Sequence, residues 1–235
     1  MKFYIAFLTL ILFGQPQIFA QKRDSVPVFQ KKLTEVERRH LALELAELDD
    51  ADQKYRRLLP TIEKQYSKES AEYKENFRLW VLTDSINIVK IDSLLALYGY
   101  DNIIDNNASA LFIIIQHADL ERQLRFIPLF RESAKLKKFR LVDVAMMEDR
   151  INLRLGKKQV YGTQICINRV TDEQFVCPLE DPDLVNLRRS EVGLIPISEY
   201  CKHFEIKWNL EEYKKRLPEF EALLKEQFEK RNKKM

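Results

Sequence analysis

The chain has 235 residues, with 39 lysines and arginines against 36 aspartates and glutamates, and a formal net charge of +3. A charge so close to balance produces no overall field that would attract nucleic acid or an anionic membrane, so we expect no nucleic-acid partner. Hydrophobic residues make up 46% of the sequence, which is enough for a folded core and excludes a disordered chain.

The first twenty residues have the layout of a secretory signal peptide. A positive charge at Lys2 precedes the apolar run from Phe3 to Phe13, and a small residue follows at Ala20. The alternative is an uncleaved membrane anchor, which needs about 20 apolar residues, and this run is shorter. We therefore expect cleavage of residues 1–20, export to the periplasm or the medium, and no stable membrane span after cleavage.

Residues 21–40 lead into the first of two long predicted helices. The first runs from about residue 29 to 59, where Pro60 ends or kinks it, and the second runs from about 68 to 98, where Gly99 ends it. Their apolar stripes consist of Leu41, Leu45, Leu48, Tyr55 and Leu59, and of Tyr73, Phe77, Trp80, Ile88, Ile91, Leu95 and Tyr98. A carboxylate lies on each stripe, Asp52 on the first and Asp84 on the second.

Three shorter helices are predicted next. The first covers residues 108–116 and is almost wholly apolar, which indicates a central place in the core. Asp119 caps the second, which runs from 120 to about 137. The third runs from about 141 to 155, where Gly156 ends it.

The periodicity then changes from helical to β. Residues 159–168 and 174–177 are rich in β-forming residues and flank a polar stretch, which predicts a β-hairpin at about 159–178. If the turn centres on residues 171 and 172, Cys166 and Cys177 lie directly opposite each other. An exported protein retains such a bridge, so we predict a cross-strand disulfide, and the alternative is two buried free thiols.

Helices return after the hairpin. Pro182 opens a short helix that Gly193 stops, Pro196 opens another, and Asn209 caps a charged final helix within residues 206–235. The predicted fold class is therefore mainly α, close to the boundary with the α+β class. We expect a single-domain assembly of helices with one hairpin before the C-terminal helices.

The motifs of common enzyme and cofactor sites are missing from the sequence, including the Walker loop, the Rossmann glycines and the serine-hydrolase elbow. The three histidines, His40, His117 and His203, do not pair at a spacing that binds metal. The sequence therefore predicts no metal and no cofactor.

Charged residues at apolar positions are the main candidates for a site. A carboxylate on a buried stripe is costly unless it is paired, and Arg56 lies one turn from Asp52. A structural network of ion pairs is the favoured interpretation, and an active site is the alternative. The candidate polar cluster or ligand-binding set is Asp52, Gln53, Arg56, Asp84, Asn87, His117, Asp149, Arg150, Gln159, Tyr161, Gln164, Arg188 and Arg189.

Several members of this set have two interpretations. The polar residues at 159–164 either form the edge of a ligand site or make hydrogen bonds to backbone groups at helix ends. Arg188 and Arg189 either clamp an anionic ligand or pair with buried aspartates. His117 is either a general base near neutral pH or a core residue whose ring nitrogens are hydrogen-bonded within the protein.

Six short motifs in the chain share their pattern with one family. They are Ile115-Gln116-His117-Ala118-Asp119, Asp149-Arg150, Gln159-x-Tyr161-Gly162-Thr163-Gln164, Arg188-Arg189-x-x-x-Gly193-Leu194-x-Pro196, Asp52-Gln53-x-x-Arg56 and Asp84-x-x-Asn87. With them, residues 41–205 resemble a bacterial family labelled only as a domain of unknown function. The chain departs from the family at Gly99-Tyr100-Asp101, where the family has Gly-Trp-Pro. The resemblance implies a shared polar cluster and no particular reaction.

Three functions are compatible with these features. The favoured one is an exported cell-envelope protein that acts as a binding or structural module around a buried Asp/Arg/His cluster. The alternative is an envelope hydrolase or transferase, with acid-base chemistry at His117 or an aspartate and arginines that bind an anionic group. A third is a scaffold that binds a partner through the basic last helix. The expected partner is a small anionic ligand or an envelope protein.

Overall fold

A computed structural model of the chain describes residue 26, residues 31–168 and residues 170–232. The predicted signal peptide, residues 1–20, lies outside the described residues. The chain divides into two compact units, Gln21–Phe139 and a second unit that contains Arg140–Met235. None of the helices in the described ranges is long and apolar enough to cross a bilayer.

The described residues form eight α-helices and one two-stranded antiparallel sheet. In chain order they are α1 (Glu35–Gln65), α2 (Ala71–Tyr98), α3 (Tyr100–His117), α4 (Leu120–Lys135), α5 (Leu141–Arg154), β1 (Ile165–Ile167), β2 (Gln174–Val176), α6 (Val185–Glu191), α7 (Ile197–Lys202) and α8 (Leu210–Asn232). A 3-10 turn at Pro182–Leu184 precedes α6. The predicted mainly α fold, with one hairpin before the C-terminal helices, is confirmed.

In the first unit, α1 packs against both α2 and α3. Thr34 and Glu37 form a capping box at its start, since each side chain accepts a hydrogen bond from the backbone N–H of the other. The helix continues past Pro60 to Gln65. Of the two predictions for Pro60, an end to the helix is wrong, because a proline removes one hydrogen bond but leaves the following turns free to form.

The predicted helix at 108–116 is the second half of a longer one. Gly99, at a φ of 80°, turns the chain directly from α2 into α3, which therefore begins at Tyr100. Asn107 departs from helical geometry inside α3, and its side-chain oxygen accepts a hydrogen bond from Ala110 N at 3.1 Å. That bond caps the second half of α3 in the way that a helix N-cap does.

In the second unit, the predicted disulfide between Cys166 and Cys177 is confirmed, with Cα atoms 5.0 Å apart. The strand register differs from the prediction by two residues, and Cys166 lies opposite Phe175. The cause is an earlier turn, closed by a hydrogen bond of 2.9 Å from the N–H of Asn168 to the carbonyl of Glu173. The third cysteine, Cys201, is a buried free thiol.

The core of the second unit lies between the hairpin and the C-terminal helices. It contains both strands together with apolar residues of α6, α7 and α8. Phe175 of β2 stacks on Phe220 of α8, with ring centroids 4.2 Å apart. Gly162 has a φ of 69°, and a Cβ atom there would lie 2.7 Å from the side chain of Ile197, so this position requires glycine.

Candidate functional site

A buried cluster of charged side chains lies in the first unit, where α1 meets α2. Asp52 and Arg56 are one turn apart on α1, and Nη1 of Arg56 lies 3.1 Å from a carboxylate oxygen of Asp52. The other terminal nitrogen, Nη2, lies 2.8 Å from Oδ2 of Asp84 on α2. The side chains of Asp52 and Arg56 are only 2% and 7% exposed. One arginine therefore links two helices through two carboxylates.

Trp80 is a member of this cluster that the sequence analysis assigned only to the core. Its indole N–H donates to Oδ2 of Asp84 at 3.1 Å, and the guanidinium of Arg56 lies 4.8 Å from its ring centroid. A cation over the face of a tryptophan is attracted by the ring electrons. The signal was available in the sequence, because Trp80 precedes Asp84 by one helical turn.

His117, the last residue of α3, joins the cluster through Asp52. Its Nδ1 atom lies 3.0 Å from Oδ1 of Asp52, and Gln53 donates to Oδ2 of Asp52 at 2.7 Å. When Nδ1 of a neutral imidazole donates to a carboxylate, Nε2 carries the lone pair that can accept a proton. The arrangement can therefore support proton transfer as well as packing.

The cluster contains more carboxylates than guanidinium groups. One guanidinium faces the carboxylates of Asp52 and Asp84, and within the described part of the chain Oδ1 of Asp84 has no hydrogen-bond partner. Burial raises the pKa of Asp84 to about 6, although Arg56 opposes the shift. Burial and the nearby Asp52 also raise the pKa of Asp49, one turn earlier on α1. Asp84 therefore takes up a proton as the pH falls to about 6.

Asn87 lies near this cluster in sequence but has a different contact. It is buried on α2, and its side-chain amide donates to the backbone carbonyl of Leu48 at 3.4 Å. This bond ties α2 to α1, so the structure gives Asn87 a role in helix packing.

A second group of polar side chains surrounds an irregular loop of the second unit, residues 160–164. Asp149 of α5 is fully buried, and its carboxylate accepts four hydrogen bonds from this loop. The donors are Val160 N at 2.7 Å, Tyr161 N at 3.0 Å, Thr163 N at 2.9 Å and Thr163 Oγ1 at 2.9 Å. Burial raises the pKa of Asp149, and the backbone donors oppose that shift. The carboxylate supplies the partners that the loop backbone lacks.

The two glutamines of the loop motif bind each other and the hairpin. The side-chain amide of Gln159 donates to the carbonyls of Gln164 and Cys177 at 3.0 and 2.7 Å. Its oxygen accepts from Gln164 N at 2.9 Å. Gln164 in turn donates to Thr163 Oγ1 at 3.1 Å. These bonds fix the loop against the start of the sheet.

Arg188 and Arg189 of α6 hold the same loop from its other side. Arg189 is fully buried and donates to the carbonyls of Ile195 at 2.6 Å and Tyr161 at 2.7 Å. Arg188 donates to the carbonyl of Val160 at 2.8 Å and also binds the carbonyls of residues 180 and 181. Both guanidinium groups therefore donate hydrogen bonds to backbone oxygens. Binding of an anionic ligand by these two arginines stays a prediction.

Two further candidates lie beside this group. Arg150 follows Asp149 on α5 and is buried. Tyr161 is half-buried, and its pKa is raised first by burial and then by the negative charge of Glu148, with which it forms a hydrogen bond. Glu148 was not among the predicted residues, although it is adjacent to Asp149.

The structure thus brings the predicted residues together in two groups, one in each unit. The first group contains Asp52, Gln53, Arg56, Asp84 and His117, and the second contains Asp149, Gln159, Tyr161, Gln164, Arg188 and Arg189. A single centre formed by all of them stays a prediction. Among the described residues, no group of three or more histidine, cysteine or acidic side chains is placed to hold a metal ion.

The second unit also contains a cleft that the sequence analysis missed. Its volume is about 480 Å³, and it lies between β2, residues 204–209 and α8. Phe204 and Trp208 line it together with Arg216, which forms an ion pair with Glu173 at 2.5 Å. The high density of aromatic residues between positions 204 and 220 is the feature of the sequence that could have indicated this cleft.

Comparison with known proteins places the chain in a family. The model of a family of unknown function, DUF6624, matches residues 39–212, and the chain belongs to this family. This match confirms the resemblance to a family of unknown function. No curated protein and no solved structure is significantly similar to the chain.

Proposed function

We propose that this protein is an exported cell-envelope protein that acts as a binding or structural module, in which the buried aspartates and arginines are internal braces. The observation that carries this proposal is the environment of Asp149. Its carboxylate is fully buried and accepts four hydrogen bonds from the loop at 160–164. A group with this many internal partners stabilises a fold and has little capacity left for a substrate.

Export is supported by two independent features. The first twenty residues have the layout of a signal peptide. The disulfide between Cys166 and Cys177 is a bond that persists in oxidising compartments and is rare in the cytosol. Sequencing the N-terminus of the protein recovered from culture fractions tests this part, and a cytosolic chain that still begins at Met1 would contradict it.

The cleft of the second unit is the proposed ligand site. Its volume of about 480 Å³ falls within the range of about 300–1,000 Å³ that is usual for small-molecule sites. Phe204 and Trp208 provide apolar walls, and Arg216 provides a cationic group. A ligand with an apolar body fits this lining, and an anionic group gains little there, because Arg216 is already paired with Glu173 and Glu219 and the cleft is also lined by Glu205 and Glu212.

The structural role of Asp149 can be tested by measuring stability, without knowledge of a substrate. Replacing a residue that serves folding lowers stability, whereas replacing one that serves catalysis often leaves stability unchanged or raises it. We expect Asp149→Asn to lower the free energy of unfolding strongly, and the matched change Asp172→Asn, at an exposed turn position, to leave it nearly unchanged. An Asp149→Asn variant as stable as the wild type would contradict the bracing role.

A second candidate function is an envelope hydrolase or transferase, and the contact between His117 and Asp52 favours it. A carboxylate that fixes Nδ1 of an imidazole is the usual support for a general base. In this case His117 serves chemistry, and replacing it would leave the fold intact or more stable. The stability of a His117 variant therefore separates the two candidate functions.

A further inference from the structure

The cleft of the second unit has an aromatic floor and aromatic walls. Phe175, Tyr213 and Phe220 are buried at its base. Phe204 and Trp208 are only partly buried, so their rings stay within reach of a ligand. Trp208 packs against Tyr213, with ring centroids 4.9 Å apart, which holds the indole in one orientation. The cleft therefore offers flat apolar surfaces that are already in place.

The rim of the cleft carries polar groups that the protein itself does not use. The indole N–H of Trp208 forms no hydrogen bond within the described part of the chain, and solvent reaches it. The side chains of Gln174, Glu205 and Lys207 are exposed at the rim. Among the described residues they have no hydrogen-bond or ion-pair partner either. The rim thus presents both donors and acceptors to a ligand.

The charges around the cleft do not select an ion of either sign. Arg216 is held by two carboxylates, and the carboxylate of Glu212 lies 3.6 Å from the ammonium of Lys215. Glu205 and Lys207 remain, two residues apart and opposite in charge. The attraction of a charged ligand to one of them is offset by repulsion from the other. A neutral ligand loses nothing in this setting.

A wholly apolar ligand is also a poor fit. It would cover the indole N–H and the polar rim without replacing the water that binds these groups, and a buried polar group without a partner costs free energy. The lining instead suits a neutral molecule with an apolar face and hydroxyl groups along its edge.

We propose that the cleft binds a short neutral saccharide. This inference rests on the proposed function, which makes the cleft a ligand site, and it adds the chemical class of the ligand. A sugar ring presents C–H groups on its faces, which pack on Trp208 and Phe204. Each hydroxyl at its edge both donates and accepts, so it matches the carboxylate of Glu205, the amide of Gln174 and the indole N–H alike.

Calorimetric titration of the purified full chain tests the class of ligand. The neutral probes are cellotriose, maltotriose and tri-N-acetylchitotriose. Two trisaccharides of the same length carry charge, trigalacturonate as the anion and the glucosamine trimer as the cation. We expect saturable binding of at least one neutral trisaccharide, and binding of both charged ones that is weaker by about tenfold or more.

Two substitutions test whether this binding takes place in the cleft. Trp208→Ala should weaken it by about tenfold or more, because truncation of a central aromatic contact has an effect of that size. Glu205→Gly should weaken it several-fold without loss of stability, since Glu205 has a φ of 60°, a conformation in which glycine is less strained.

Lys137→Gly is the matched control for the glutamate. Lys137 lies in the first unit and has a φ of 59°. It ends α4 with the same pair of backbone hydrogen bonds that Glu205 and its neighbours form after α7. The control should keep the affinity of the wild type. Thermal unfolding of each variant shows that it is folded.

A neutral apolar probe, N-phenyl-1-naphthylamine, separates failure of this inference from failure of the proposed ligand site. If that probe or a charged trisaccharide binds through Trp208 and the neutral trisaccharides do not, the cleft takes another class of ligand and the inference is overturned. If the apolar probe does not bind, and no trisaccharide binds up to about 10 mM, the ligand site falls as well. Neutral trisaccharide binding that is unchanged in both cleft variants also overturns the inference.

Discussion

The Nη1 atom of Arg189 lies 2.7 Å from the carbonyl oxygen of Tyr161, a residue 28 positions earlier in the chain. The same guanidinium donates to the carbonyl of Ile195 and lies 4.9 Å from the ring of Tyr200. A planar group with several donors thus connects α6, the loop at 160–164 and α7. Only arginine offers this combination of fixed donor geometry and aromatic stacking.

Replacing Arg189 with lysine should therefore destabilise the protein strongly. Lysine keeps a charge but loses the planar fork, which leaves buried carbonyls without donors at a cost of about 1–3 kcal/mol each. Arg188→Lys is the matched control, and it should cost less because Arg188 is only half-buried. Chemical denaturation measures both. Equal, small losses would show that Arg189 is not a brace.

The stability of the first cluster should depend on pH through Asp84. Its carboxyl titrates near pH 3.8 in the unfolded chain and near pH 6 in the folded one. Between these values the folded state holds more protons, so the free energy of unfolding falls as pH rises, and above about pH 6 the loss is complete. For Asp84 alone this loss is on the order of 2–3 kcal/mol.

The variant Asp84→Asn isolates this contribution, since asparagine does not titrate. We expect the stability of Asp84→Asn relative to the wild type to rise steadily between about pH 4 and about pH 6. Urea denaturation at each pH value measures the difference. A difference that does not change with pH would mean that Asp84 has an ordinary pKa in the folded protein.

Replacing His117 with leucine separates packing from chemistry. If the histidine is a brace, Asp52 loses a partner in a buried site, and the free energy of unfolding falls by about 1–3 kcal/mol. If it is a general base, stability stays equal or rises. Thermal unfolding at pH 7 distinguishes these results, and an unchanged or higher midpoint would favour the hydrolase or transferase over the module.

The disulfide should contribute measurably to stability. The bond joins Cys166 to Cys177 across 11 residues, and closing a loop of that length stabilises a fold by about 2–3 kcal/mol. A double change of both cysteines to serine should lower the unfolding free energy by that amount. Burial raises the pKa of Cys201 to about 11, so the native protein should resist alkylation at this thiol. Three rapidly alkylated thiols would contradict both statements.

The sequence was informative where local rules decide the structure. Asp119 and Asn209 cap helices as predicted, and Gly99 ends α2, because these residue types satisfy backbone groups of their own segment. Asp52 and Asp84 were recognised because they interrupt apolar stripes, and the structure buries Asp52 while the side chain of Asp84 is 16% exposed. The pairing of Cys166 with Cys177 was also correct, although the strand register was not.

The remaining features depend on contacts between distant segments. Trp80 and Asp84 of α2 both contact Arg56 of α1 because the two helices pack at that point, which periodicity alone does not reveal. The role of Asp149 was equally hidden, since three of its four donors are backbone N–H groups, which every residue except proline carries. The cleft beside β2 arises from the packing of residues far apart in the chain.

The hydrogen bonds from the loop at 160–164 to Asp149 are the contacts through which this residue is proposed to stabilise the fold. Amide hydrogen exchange measures them, because the N–H groups of Val160, Tyr161 and Thr163 are the donors. In the wild type these amides should be protected as strongly as those of α5, and in Asp149→Asn they should exchange much faster. Rapid exchange of the three amides in the wild type would contradict the claim that Asp149 braces the loop.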